Sequence, residues 1–185
     1  PYFPLFSKIS RYKKIGSIRD FFHTKLLRMY DHIIYISKSQ ESEIVSRIGD
    51  NRYFLLYENL IPERDYMPKW KKVKQDVFRI AVPGRLVNRQ KNQIMALDIL
   101  NKLLELGYKI EMLFIGGGKD FKMLIEYANK INVSSSVIFT DWVKTPFDYY
   151  KSVDLILFTS RYEGVPLTII EILQIGTPFV ASDIH

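Results

Sequence analysis

From Val77 onward, apolar segments of strand length alternate with segments of helix length, and few architectures accept that alternation. The runs 77–82 (VFRIAV), 109–116 (KIEMLFIG), 137–139 (VIF), 154–160 (DLILFTS) and 177–182 (TPFVAS) are rich in Val, Ile, Leu and Phe and read as strands. Between them, 92–107, 119–132, 145–152 and 166–176 read as helices, the first and last stopped by Gly107 and Gly176. Strands that are apolar on both faces must be covered on both sides, which calls for helices flanking a parallel sheet. The expected fold class is therefore α/β, a doubly wound parallel sheet.

The chain upstream is less regular. Residues 21–30 read as the end of an amphipathic helix, and 31–37 (DHIIYIS) as a strand. Residues 37–49 read as a helix capped by Ser39 or Ser42 and stopped by Gly49, and 52–57 as another strand. Two prolines and a lack of periodicity mark 58–72 as a linker. The expected organisation is a first domain portion over 1–57, a linker over 58–72 and a second domain over 73–185.

Composition narrows the function. With 47% hydrophobic residues the chain carries too much apolar surface to stay unfolded. The absence of Cys excludes a disulfide framework, a Cys-based zinc site and a thiol nucleophile, and three His argue against a His-rich metal cluster. The longest apolar runs are too short to cross a bilayer. The formal charge of +7 suits an anionic partner such as a nucleotide phosphate, a nucleic acid or an acidic lipid surface. Nucleic acid is disfavoured, because the aromatics do not interleave with basic residues as a stacking platform requires. The chain opens on Pro1, not Met, and lacks the features of a signal peptide, which reads as a piece of a longer protein.

In a doubly wound sheet, ligands bind beyond the carboxyl ends of the strands. There the sequence places PGRLVNRQK, GGGKDF, DWVK, SRYEGVP and SDIH in turn. Arg85 and Lys91 put two cations between the first strand and its helix, suited to a phosphate or to a solvated basic loop; Arg89 is a third, weaker candidate. Gly116, Gly117 and Gly118 permit either close backbone approach to a ligand or a tight turn. Phe121 stands where a dinucleotide fingerprint needs Gly, and no phosphate-loop GK[ST] follows.

Glu163 lies in the loop after the fourth strand and can accept hydrogen bonds from sugar hydroxyls. The first N–H groups of the next helix, around Pro166, Leu167 and Thr168, can meet a phosphate, although Pro166 itself has none. Glu171, about one turn into that helix, is placed to accept from a ribose, or else pairs with a cation or reaches solvent. Trp142 suits base stacking or core filling. His23 and His32 have no orienting neighbours in sequence, His185 is the last residue and its context is cut away, and no Ser–His–Asp order is evident.

The order GRL…K, strand–GGG, EGVPLTIIE and GTPFVASD resembles the retaining GT-B glycosyltransferases of family 4, with Glu163 and Glu171 forming the E-x7-E element. The resemblance covers 77–185 and, more weakly, 31–61, where DHIIYISKS and YENLIP resemble the end of the family's first domain; Asn59 matches an Asn and Leu60 replaces a Gly. It implies a Rossmann-like sheet forming the C-terminal half of a GT-B fold, with 1–57 as the remnant of an acceptor-side domain. It further implies Arg85 and Lys91 at a donor diphosphate, and Gly117 and Gly118 in the Gly-rich loop. Glu163 would hold the transferred sugar, Leu167 and Thr168 would face the phosphates, and Glu171 would hold the ribose. Val165 and Pro166 replace the family's usual Phe and Gly, and Ile172 its usual Ala.

The implied reaction is transfer of a hexose from a UDP- or GDP-sugar to a glycan or lipid-linked acceptor with retention of configuration. No metal or further cofactor is expected, in keeping with the lack of a DxD element. The runners-up are a non-hydrolysing sugar-nucleotide epimerase of the same architecture and a non-catalytic partner subunit. The implied location is the cytoplasm, with the basic N-terminal segment suited to peripheral contact at the inner face of the membrane. The parent protein is the expected enzyme, and this piece alone is expected to be inactive.

Overall fold

The computed structural model describes residues 76–164 and 166–184, the strand residues 15–18, 32–35 and 53–55, and the helical pair 45–46. The chain divides into two compact units, Pro1–Leu60 and Ile61–His185.

In the first unit, β1 (Ile15–Ile18), β2 (His32–Tyr35) and β3 (Tyr53–Leu55) form a parallel sheet in that order. Ile15 pairs with His32, and Ile33 with Tyr53. β2 and β3 fall inside the expected strands 31–37 and 52–57. β1 is not among the expected strands: its sequence IGSI is four residues long, includes Gly and Ser, and follows a basic run, so it carries little strand signal. Val45 and Ser46 are helical within the expected helix 37–49. The caps of that helix, the helix over 21–30 and the linker 58–72 lie outside the described residues.

The second unit begins with β4 (Phe78–Pro83), α1 (Asn88–Lys91) and α2 (Gln93–Glu105). Next come β5 (Ile110–Ile115), α3 (Phe121–Lys130) and β6 (Val137–Phe139). It closes with α4 (Phe147–Ser152), β7 (Leu155–Phe158), α5 (Leu167–Ile175) and β8 (Phe179–Ala181). All five strands are parallel, in the order β6-β5-β4-β7-β8. The first strand is thus central, and the chain winds away from it in both directions.

Successive strand side chains point to opposite faces, and the core divides accordingly. Ile80, Val82, Met112 and Phe114 pack with Leu97, Leu100 and Leu124 of α2 and α3. Ala81, Leu113 and Ile115 pack on the other side with Tyr150, Ile172 and Ile175 of α4 and α5. Both faces of the central strands β4, β5 and β7 are therefore largely buried, which is what their continuous apolar runs require. This is a doubly wound, Rossmann-like α/β domain.

In the second unit, the residues after β4 depart from the expected reading. Residues 88–91, which read as part of a rim loop, form the single turn α1. Asn92 then takes a left-handed conformation (φ 52°), ending α1 and starting α2; Asn tolerates this region better than most residues. The Asn88 side chain spans the joint, its Oδ1 accepting the Ile94 N–H at 2.9 Å. Four residues are too few to show helical periodicity, so the turn leaves no pattern in the sequence.

Candidate functional site

The strand order reverses at β4, so its carboxyl end and that of β7 border the switch-point crevice. Three rim loops meet around β4, and two different kinds of seam hold them.

The loops after β4 and β5 are bound by their backbones. The Gly84 N–H donates to Ile115 O at 2.9 Å, Leu86 N–H to Gly117 O at 3.0 Å, and Asp120 N–H to Leu86 O at 3.1 Å. Asp120 Oδ2 also accepts the Asn88 N–H at 2.7 Å. These approaches leave no room for side chains. A Cβ on Gly116, whose φ is +134°, would sit 2.5 Å from Gly84 O, and one on Gly118 would run into the Leu86 backbone. A Cβ on Gly117 would meet the Asp141 carboxylate. The triple glycine therefore has a packing duty at the rim.

The α1 turn and the loop after β7 are bound through side chains and one backbone bond. Arg161 N–H donates to Gln90 O, and Thr159 Oγ to Lys91 O, each at 2.8 Å. These bonds satisfy carbonyls at the end of α1 that have no intrahelical partner. Above them, Lys91 Nζ meets Glu163 Oε1 at 2.5 Å. Ser160 Oγ donates to the same oxygen at 2.6 Å. The Lys91 and Glu163 side chains retain only 18% and 13% of their exposure, so the pair is largely shielded from bulk water.

The other sequence candidates fall around this pair. Arg85 is exposed on the loop after β4, its carbonyl held by Gln93 Nε2 at 2.8 Å. Arg89 is exposed on α1. Leu167 and Thr168 open α5, whose start carries no side-chain cap. Glu171 lies half-buried one turn further on. Its charge is felt by Tyr150 of α4: burial pushes the Tyr150 hydroxyl well above the usual tyrosine value, and the Glu171 carboxylate adds to the shift. Trp142 is 73% exposed, which removes core filling as its role. Asp141 beside it has φ +59°.

Sequence reasoning misses the polar residues that fix these loops. Ser160, Thr159 and Gln93 are buried polar side chains. The signal that could find the first two is their chemistry: hydroxyls at the end of an apolar strand must find partners when buried. Among the described residues, no group of three or more His, Asp or Glu stands close enough to hold a metal ion. No helix among them is long and apolar enough to cross a membrane.

The family described as "Glycosyl transferases group 1" matches residues 63–185. The chain belongs to this family. Relatives of this chain extend the likeness upstream of the family match. Lipopolysaccharide 1,6-galactosyltransferase of Salmonella typhimurium is 25% identical over 166 residues, 87% of this chain and 45% of that protein. The chain thus spans about half the length of such relatives.

Among solved structures, a variant of S. aureus TarM in complex with Fondaparinux, alpha-GlcNAc-glycerol and UDP superposes with a TM-score of 0.77. Sequence identity is 17%, and the match covers 97% of this chain and 38% of that one. Anabaena Alr3699/HepE in complex with UDP-glucose gives a TM-score of 0.70 at 17% identity, over 90% of this chain and 52% of that one. The second unit is the Rossmann-like sheet of the C-terminal half of a GT-B fold.

Proposed function

We propose that the full-length protein transfers a hexose from a UDP- or GDP-sugar to a glycan or lipid-linked acceptor with retention of configuration. The observation that carries this reading is the shielded Lys91–Glu163 contact at the switch point. It sets a cation suited to a diphosphate against a carboxylate suited to sugar hydroxyls, where a doubly wound sheet binds its ligand. The family membership and the galactosyltransferase relative agree with it, and the UDP-glucose bound to HepE favours UDP within the donor class.

In this reading Arg85, Lys91 and the N–H groups of Leu167 and Thr168 stabilise the negative charge that grows on the leaving diphosphate. That charge is met by the protein without a metal. Glu163 orients the transferred sugar, and Glu171 accepts from the ribose hydroxyls. Gly117 and Gly118 border the donor, in addition to their packing duty. Residues 1–57 belong to the acceptor-side domain, and 73–185 to the donor domain. The acceptor is a cell-surface glycan or its lipid-linked precursor, met at the inner face of the membrane.

Calorimetry of the full-length protein with UDP, GDP and ADP tests the reading, with Glu171→Ala as control. Selective binding of one nucleotide, weakened by the substitution, is expected. Failure of all three nucleotides in a folded protein overturns the reading, as does unchanged transfer by Arg85→Ala and Lys91→Ala variants.

A further inference from the structure

The Lys91–Glu163 pair has a third member that the proposed function does not use. Ser160 follows β7 closely and is 5% exposed. Its Oγ and Lys91 Nζ donate to the same atom, Glu163 Oε1, at 2.6 and 2.5 Å. Oε2 receives neither bond. The two donors differ in what can remove them. Lys91 carries a mobile point charge on a flexible stem, and a diphosphate competes with Glu163 for it. The Ser160 hydroxyl is anchored on a buried residue and is neutral, so an arriving anion has little hold on it.

Resting on the reading of Glu163 as the sugar-holding carboxylate, we infer that Ser160 is a positioning residue. It keeps the Glu163 carboxylate in place, with Oε2 toward the transferred sugar, when the donor diphosphate draws Lys91 away. The hydroxyl acts only through Glu163 and touches neither phosphate nor sugar. Its removal therefore separates two quantities that a merely structural residue would move together: affinity for the bare nucleoside diphosphate, and use of the sugar donor.

The test uses the full-length protein and whichever of UDP and GDP the unmutated protein binds. Ser160→Ala is expected to lower kcat/KM for the nucleotide sugar about tenfold, the scale of one hydrogen bond to a charged group. Binding of the bare diphosphate should stay within about threefold, because the contacts to phosphate are untouched. In a Glu163→Gln background the same substitution should add less than about twofold, since the two residues act as one unit. Equal losses for diphosphate and sugar donor overturn the inference alone, as does a full tenfold loss in the Glu163→Gln background or no loss at all. Absence of any nucleotide binding by the unmutated protein overturns the functional reading, and this inference with it.

Discussion

On the β5 side of β4 the rim loops touch backbone to backbone. On the β7 side they touch mainly through side chains. The first seam is made of Gly84, Gly116, Gly117 and Gly118 and the amide bonds that their small size permits. The second is made of Thr159, Ser160, Glu163 and Lys91. A backbone seam has nothing to exchange with a ligand except surface, and it holds its shape because its groups are already paired. A charged seam can trade partners, because an ammonium bound to a carboxylate can also bind a phosphate. The crevice is thus bordered on one flank by paired backbone and on the other by charges that can exchange partners.

The largest effect is expected at Gly116. Gly116→Ala forces a Cβ against Gly84 O in a backbone region that side chains avoid. A loss of about 3 kcal/mol is expected, combining overpacking with left-handed strain. A urea titration reads this directly, and a loss below about 1 kcal/mol would mean that the two flanks do not differ as described.

Lys91→Ala tests the other flank. Transfer by the full-length protein should fall about 100-fold, the scale of one lost group at a developing charge. The unfolding midpoint should move less than for Gly116→Ala, since Ser160 still bonds Glu163 Oε1. A larger loss of stability than of transfer would reverse the assignment of frame and chemistry.

A smaller effect concerns pH. Tyr150 is 3% exposed, and its hydroxyl is held neutral by burial and by the Glu171 charge, so its folded value lies above the unfolded value of 10.0. The folded state therefore gains stability that is fully present below pH 10 and is lost as pH rises above it. Absorbance of the phenolate should show Tyr150 ionising after ordinary tyrosines, and Glu171→Gln should bring that ionisation to lower pH. No change on Glu171→Gln would detach Glu171 from the α4 side of the site.

The smallest effect is expected at Trp142. At 73% exposure, Trp142→Ala should change stability by no more than about 0.5 kcal/mol in a denaturant titration. A larger loss would show that the loop after β6 belongs to the frame.

Much of the second unit is legible in its amino-acid sequence. The strand 137–139 occupies the very residues expected, and the remaining strands of that unit fall within one or two residues of their expected ends, because short runs rich in Val, Ile, Leu and Phe leave a dense local signal. Glu163 stands out in the sequence as a carboxylate at the rim. Its contact with Lys91 does not, because the two are 72 residues apart and only the strand order brings them together. The α1 turn and β1 escape for a different reason: four residues carry too little period or propensity to register. The triple glycine is ambiguous between turn and ligand approach, and what limits it is the approach of the loops after β4 and β6, which local sequence cannot reveal.

The central place of β4 also has a consequence for how the chain comes to be. β4 is made first in its sheet and pairs with β5 after a short interval of synthesis. Its other edge must wait for β7: Arg79 N–H bonds Asp154 Oδ2 at a separation of 75 residues. At ribosomal speeds of about 5–20 residues per second, that edge stays open for roughly 4–15 s. During that wait a strand destined for the interior of the nascent domain is one that a stranger's strand could join. Synthesis, more than the finished fold, is where this half of the molecule is exposed to error.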